Sequence, residues 1–198
     1  MADIAAEKLE SFILADRKNL SPGQLRNIYG ISQLDTTNFL CLCPPCRELK
    51  EKEGSDSALL FTFLNRIARK IAPKYPDVLI STLAYISGEK LPATIRPEKN
   101  IIVQLCDLYT RSDCYRPLTH PYNAQRKKLI EDWKNAGVRL AIWDYWNMAY
   151  GNLFFVPPRI ETMIDAIPGE DKLLPIPGDG RGASPIMQNR IAAFALCW

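Results

Sequence analysis

Histidine is almost missing from this chain: His120 is the one such residue among 198. Any histidine-based catalysis would have to use it, and no serine or cysteine nucleophile is evidently paired with it. It stands in the proline-flanked stretch LTHPYN and reads as a loop residue. Long apolar runs are also missing. None approaches the ~20 residues that a bilayer span needs. The first residues, MADIAAEKLESFILADRKN, carry acids early and no apolar core before a small-residue cleavage site, so no secretory signal is visible. There is no basic stripe. The 25 Lys and Arg are scattered among 22 Asp and Glu, for a net charge of +3, which does not imply nucleic acid. No glycine-rich phosphate loop is present, because GDGRG at 178–182 lacks a strand before it and a helix after it. No internal repeat is found.

What is there is ordinary globular composition, 47% hydrophobic and 24% charged. The length suits one domain or a piece of a larger one. Six cysteines occur, at 41, 43, 46, 106, 114 and 197. A chain this long and this apolar does not need a disulfide framework. A reducing compartment or a local metal loop fits better.

The periodicity predicts a helix over 3–18, with Ala5, Leu9, Phe12 and Ile13 on one face. The segment 26–33, RNIYGISQ, is β-branched and aromatic enough for a strand. A cysteine and proline loop, CLCPPC, and a charged helical piece, RELKEKEG, follow. Ser55 or Asp56 then caps a long helix with the stripe Leu60, Phe63, Leu64, Ile67 and Ile71, ended by Pro73 and Pro76. Segments 78–86 and 101–105 are nearly continuous apolar strands, suited to cover on both faces. A helix starts at Asn123, turns Leu129, Ile130, Trp133 and Ala136 inward, and ends at Gly137. The strand 138–143 follows. Pro157 and Pro158 open a further helix with Ile160, Met163, Ile164 and Ile167. From Pro168 the chain is rich in Pro and Gly without periodicity and reads as loop or disorder.

Strands alternating with helices predict an α/β fold with a parallel sheet. Four strands cannot close an eight-stranded barrel. The length allows an open sheet or about half of a (β/α)8 TIM barrel, over 1–167, with the irregular tail 168–198 beyond it.

In α/β barrels the chemistry lies beyond the C-terminal strand ends. Those positions are Ser32, Gln33 and Asp35, then Tyr85, then Asp107 and Tyr109, then Trp143, Asp144, Tyr145 and Trp146. Carboxylates, amides and aromatics at one rim suit a sugar: aromatic faces stack on pyranose rings, and carboxylates handle hydroxyls and protons. Each acid taken alone has a competing reading as a helix cap or loop hydrogen bond, which weighs more for Asp107 than for Asp35 and Asp144. Trp133 lies on a helical stripe and reads as core.

Cys41, Cys43 and Cys46 have a spacing at which thiolates share a zinc ion, with a fourth ligand from Cys106, Cys114 or His120. The competing reading is a tight loop of free thiols. Pro44-Pro45 between the last two disfavours a redox CxxC.

The run ISQLDTTNFLCLCPPCRELKEKEGSDSALLFTFLNRIARKIAPKYPDVLISTLAY resembles the core of a large, mostly bacterial domain of unknown function, number 4838. The likeness rests on Ser32, Gln33 and Asp35 at a strand end, the C-x-C-x-x-C loop, the acidic stretch 51–54 and the FTFLNR helix. It continues through RPEKNIIVQLC, YRPLTHPYN and WDYW, over about 25–167. That family is related to glycoside hydrolase family 163, which acts as an endo-β-N-acetylglucosaminidase on complex N-glycans. The resemblance thus implies a (β/α)8 barrel, of which these strands are the later half. It also implies a retaining, substrate-assisted mechanism needing two acids, for which Asp35 and Asp144 are the matched positions. Full-length relatives are often exported. The resemblance stops after Ile167, where relatives continue with another strand carrying glutamates.

Three functions are therefore expected in competition. One is a glycoside hydrolase domain acting on a glycan without a cofactor. The second is a catalytically incomplete fragment that binds carbohydrate or has no activity. The third is a zinc-binding interaction module.

Overall fold

The computed structural model describes residues 1–25, 27–34, 40–106 and 120–143, and the backbone of 192–193. The expected helix at 157–167 and the tail from 168, apart from that backbone pair, lie outside them.

Helix α1 spans Ala2–Asn19 and buries Ala2, Ala5, Ala6, Leu9 and Ile13. Spacings of three and four place these on one stripe, as the periodicity predicts. Strand β1, Ile28–Ser32, alternates between half-buried and buried positions. Helix α2 spans Pro44–Glu53 and therefore begins inside the cysteine loop, earlier than the charged run suggests. Proline at the first helical position explains this, since its fixed φ is already helical and its missing N–H would have no partner there. Helix α3, Ser57–Ile71, is buried on most of its circumference. Of its two expected caps, Asp56 occupies the cap position but turns its carboxylate to Lys50 at 2.6 Å. The hydroxyl of Ser55 instead accepts from the Ser57 N–H at 3.2 Å. Strands β2 (Leu79–Ala84) and β3 (Ile101–Cys106) follow, then helix α4 (Ala124–Asn135) and strand β4 (Arg139–Trp143). Gly137 takes φ +70° just past α4, the left-handed conformation that a glycine at a helix end supplies.

The strands are all parallel, in the order β4-β3-β2-β1-β5, where β5 is the short pair Ala192–Ala193 beside Ile31 and Ser32. The register aligns Tyr29 with Ile80 and Ile80 with Ile101, while Val103 aligns with Leu140. These residues and their period-two companions Ile31, Ala84 and Leu105 form one core with α1, α3 and α4. Every strand residue in that core belongs to the same sheet face. The opposite face carries Gly30, Ser32, Ser81, Gln104, Cys106 and Trp143.

Sequential parallel strands with the helices on one face make a singly wound sheet. A doubly wound sheet would reverse its strand order and clothe both faces. The observed mixed α/β arrangement is consistent with an arc of a (β/α) barrel.

Between β2 and β3 the crossover has no α-helix, only a 3-10 turn at Ile86–Gly88. Its backbone groups are satisfied by side chains from elsewhere, as a buried loop requires. The Glu53 carboxylate accepts from the Thr94 N–H at 2.7 Å, the Ile95 N–H at 3.1 Å and the Thr94 hydroxyl at 2.5 Å. Ser55 and Ser57 both donate to the Lys90 carbonyl. Asn65 donates to the Arg96 carbonyl and accepts from the Glu98 N–H. Trp133, expected to be core, is fully buried, packs edge-on against Phe61 at 5.5 Å and donates its indole N–H to the Glu89 carbonyl at 2.8 Å.

Candidate functional site

Parallel strands share direction, so their C-terminal ends meet at one sheet edge. Ser32, Gln33, Tyr85, Cys106 and Trp143 all stand there. Ser32 is half-buried, and its hydroxyl accepts from the Leu83 N–H at 3.1 Å, joining β1 to β2. Gln33 is buried, and its side-chain amide donates to the Tyr85 carbonyl at 2.9 Å. Two residues proposed for ligand binding are thus joined directly. A Cβ on Gly88 would stand 3.1 Å from the Gln33 Oε1, so glycine is what lets the following turn close over this amide. Tyr85 and Trp143 keep partly exposed side chains, as a stacking surface needs. Asp35, Asp107, Tyr109, Asp144, Tyr145 and Trp146 lie outside the described residues.

Two features of this edge escaped sequence reasoning. Ile86, directly after Tyr85, has φ +50°. A β-branched residue in that conformation is strained, and such strain collects at ligand sites. Nothing in its residue type signals this. The second feature is polar. On the sheet face away from the helices, Gln104 donates to the Ser81 hydroxyl at 2.7 Å, with both residues buried. A serine and a glutamine inside apolar strands were the available signal for this buried polar pair.

The cysteine loop forms a second constellation. The sulfurs of Cys41, Cys43 and Cys46 all lie within 4.8 Å of one another and could hold a metal ion. Cys43 is the N-cap of α2, Pro44 and Pro45 begin the helix, and Cys46 is its third residue. A side chain at that third position leans back toward the cap, which is why C-x-x-C at a helix start brings its sulfurs together. Burial, with the neighbouring Cys43 and Cys41 beside it, pushes the Cys46 thiol up to about 12. No fourth Cys, His, Asp or Glu joins the three among the described residues. This corrects the expectation for Cys106 and His120. Cys106 is buried in β3, its thiol on the Gln104 carbonyl at 3.7 Å. The Nδ1 of His120 accepts from the Tyr122 N–H at 3.1 Å, the loop role expected of it. Cys114 lies outside the described residues.

No helix among the described residues is long and apolar enough to cross a membrane. No curated protein and no solved structure matches the chain. The model of the family described as "Domain of unknown function (DUF4838)" matches residues 6–167, and the chain belongs to that family.

Proposed function

We propose that the C-terminal sheet edge is a glycan site and that the chain is a glycoside hydrolase-like domain acting on β-N-acetylglucosaminide linkages. The observation that carries this reading is the placement of Gln33, Tyr85 and Trp143 at the C-terminal ends of strands of one singly wound parallel sheet, with Gln33 joined to Tyr85. That edge is where barrel enzymes place their chemistry. In sequence, Asp35 comes two residues after Gln33, and Asp144 directly after Trp143. By this reading the domain is related to glycoside hydrolase family 163.

In the reaction, the sugar's acetamido oxygen attacks the anomeric carbon while the glycosidic C–O bond breaks. One carboxylic acid gives its proton to the leaving oxygen. The other carboxylate accepts a hydrogen bond from the acetamide N–H and orients it. Water then opens the cyclic intermediate, and the first carboxylate takes up its proton. Asp35 and Asp144 are the proposed pair. Trp143 and Tyr85 offer ring faces to the sugar, and Gln33 holds the β1 and β2 ends in register.

Titration of the chain with an N-acetylglucosamine oligosaccharide, followed by calorimetry, tests the site. Saturable binding that Trp143→Ala weakens roughly tenfold or more supports it, in keeping with a lost stacking contact. Absence of saturable binding to the folded chain contradicts it. Binding without turnover would select the catalytically incomplete alternative. A second reading, a zinc-binding interaction module, is favoured by one specific observation: the three converging sulfurs of the cysteine loop.

A further inference from the structure

We propose that the zinc ion of the cysteine loop is a latch, held by Cys41, Cys43 and Cys46 as thiolates, that fixes the start of α2; the inference rests on the zinc-binding reading. Zn–S bonds of ~2.3 Å at tetrahedral angles put sulfurs about 3.8 Å apart. Sulfurs already within 4.8 Å need shift by only about an ångström to reach that spacing. An all-thiolate set selects a soft or borderline-soft ion over magnesium or calcium. On binding, three S–H groups lose their protons to solvent and three Zn–S bonds form, with no redox change. The three negative charges exceed the ion's two positive ones, and the N-terminus of α2 offsets part of the remainder. The fourth position takes water or another ligand.

The need for a latch follows from how α2 is held. Of its ten residues, only Cys46 and Glu53 are buried. Glu53 anchors the C-terminal end through Thr94 and Ile95. At the N-terminal end Cys46 is the sole buried side chain, so little apolar burial holds that end in place. A metal shared between Cys41, Cys43 and Cys46 ties the residues just before α2 to its first turn at this weakly held point.

The test uses the full chain, reduced, with and without added zinc. Three readouts apply: zinc per chain by atomic emission, the thiolate-to-metal absorption after cobalt substitution, and amide exchange of 43–53. The expected result is one zinc per chain, tetrahedral thiolate-cobalt absorption, and exchange in the first turns of α2 slowed roughly tenfold or more. The exposed-side variants Cys41→Ser and Cys43→Ser should lose all three while keeping the exchange pattern of α3. Substoichiometric zinc with no cobalt absorption would overturn both the zinc reading and the latch. Stoichiometric zinc with unchanged exchange in α2 would overturn the latch alone.

Discussion

The amide of Gln33 donates to the carbonyl of Tyr85 at 2.9 Å, across 52 residues of sequence, and so fastens the end of β1 to the end of β2. The bond is part-buried, with Gln33 itself buried. Gln33→Leu should therefore cost about 1–2 kcal/mol, since the Tyr85 carbonyl loses its partner. Gly88→Ala should cost about 1 kcal/mol, because its methyl would stand 3.1 Å from the Gln33 Oε1. In the Gln33→Leu background the Gly88→Ala cost should change, which a denaturant double-mutant cycle reads. Strict additivity would show that the two do not meet.

Glu53 should govern stability in acid. Its hydrogen bonds from Thr94, side chain and backbone, and from Ile95 hold its carboxyl below the usual glutamate value. A folded-state pKa below the unfolded one gives stability that is fully present above about 4.3 and lost as pH falls through that value toward the folded one. Glu53→Gln should cost about 2–4 kcal/mol near neutrality, because it leaves loop N–H groups without a proper acceptor. It should also flatten the acid limb of a stability–pH curve. An unchanged acid limb would mean that other carboxylates carry it.

At Ile86 the usual ranking of alanine and glycine should invert. At an ordinary position Ile→Gly is worse than Ile→Ala by about 0.5–1 kcal/mol. At φ +50° glycine is free of the Cβ clash, so Ile86→Gly should be the more stable of the two by about 1 kcal/mol. Chemical denaturation of both variants decides this. The ordinary ranking would mean that residue 86 does not hold a positive φ.

Trp133 joins α4 to the loop before β3 and to α3. Trp133→Phe loses the hydrogen bond to the Glu89 carbonyl and leaves a small void beside Phe61, so about 2 kcal/mol of destabilisation is expected. Trp133→Ala should cost about 3–5 kcal/mol. A cost below about 1 kcal/mol for the alanine variant would place this side chain outside the core.

Much of this architecture was legible in the sequence because it rests on local pattern. The stripes of α1 and α3 follow from apolar spacing, and the near-continuous apolar runs of β2 and β3 announced buried parallel strands. The sulfur cluster was legible for the same reason, since C-x-C-x-x-C with two prolines before its last cysteine is a local device. The anchoring of 89–98 was not legible. Glu53 reaches Thr94, Asn65 reaches Arg96 and Trp133 reaches Glu89 across separations of 41, 31 and 44 residues, which no periodicity encodes. The strain at Ile86 was hidden because isoleucine ordinarily signals a strand. At the rim, the structure joins Gln33 to Tyr85. The expected acids, Asp35 and Asp144, lie outside the described residues and stand on sequence alone.

Turnover is the most direct test of the glycan-site reading. The purified chain would be given a reporter β-N-acetylglucosaminide and a complex N-glycoprotein, beside Asp35→Asn and Asp144→Asn. Release of reporter and glycan by the parent chain is expected, lowered roughly 100-fold or more in each variant, as loss of an acid or an orienting carboxylate requires. Release that both variants retain in full would contradict the assignment of the acids. A folded chain that neither turns over nor binds these glycans would contradict the glycan site itself.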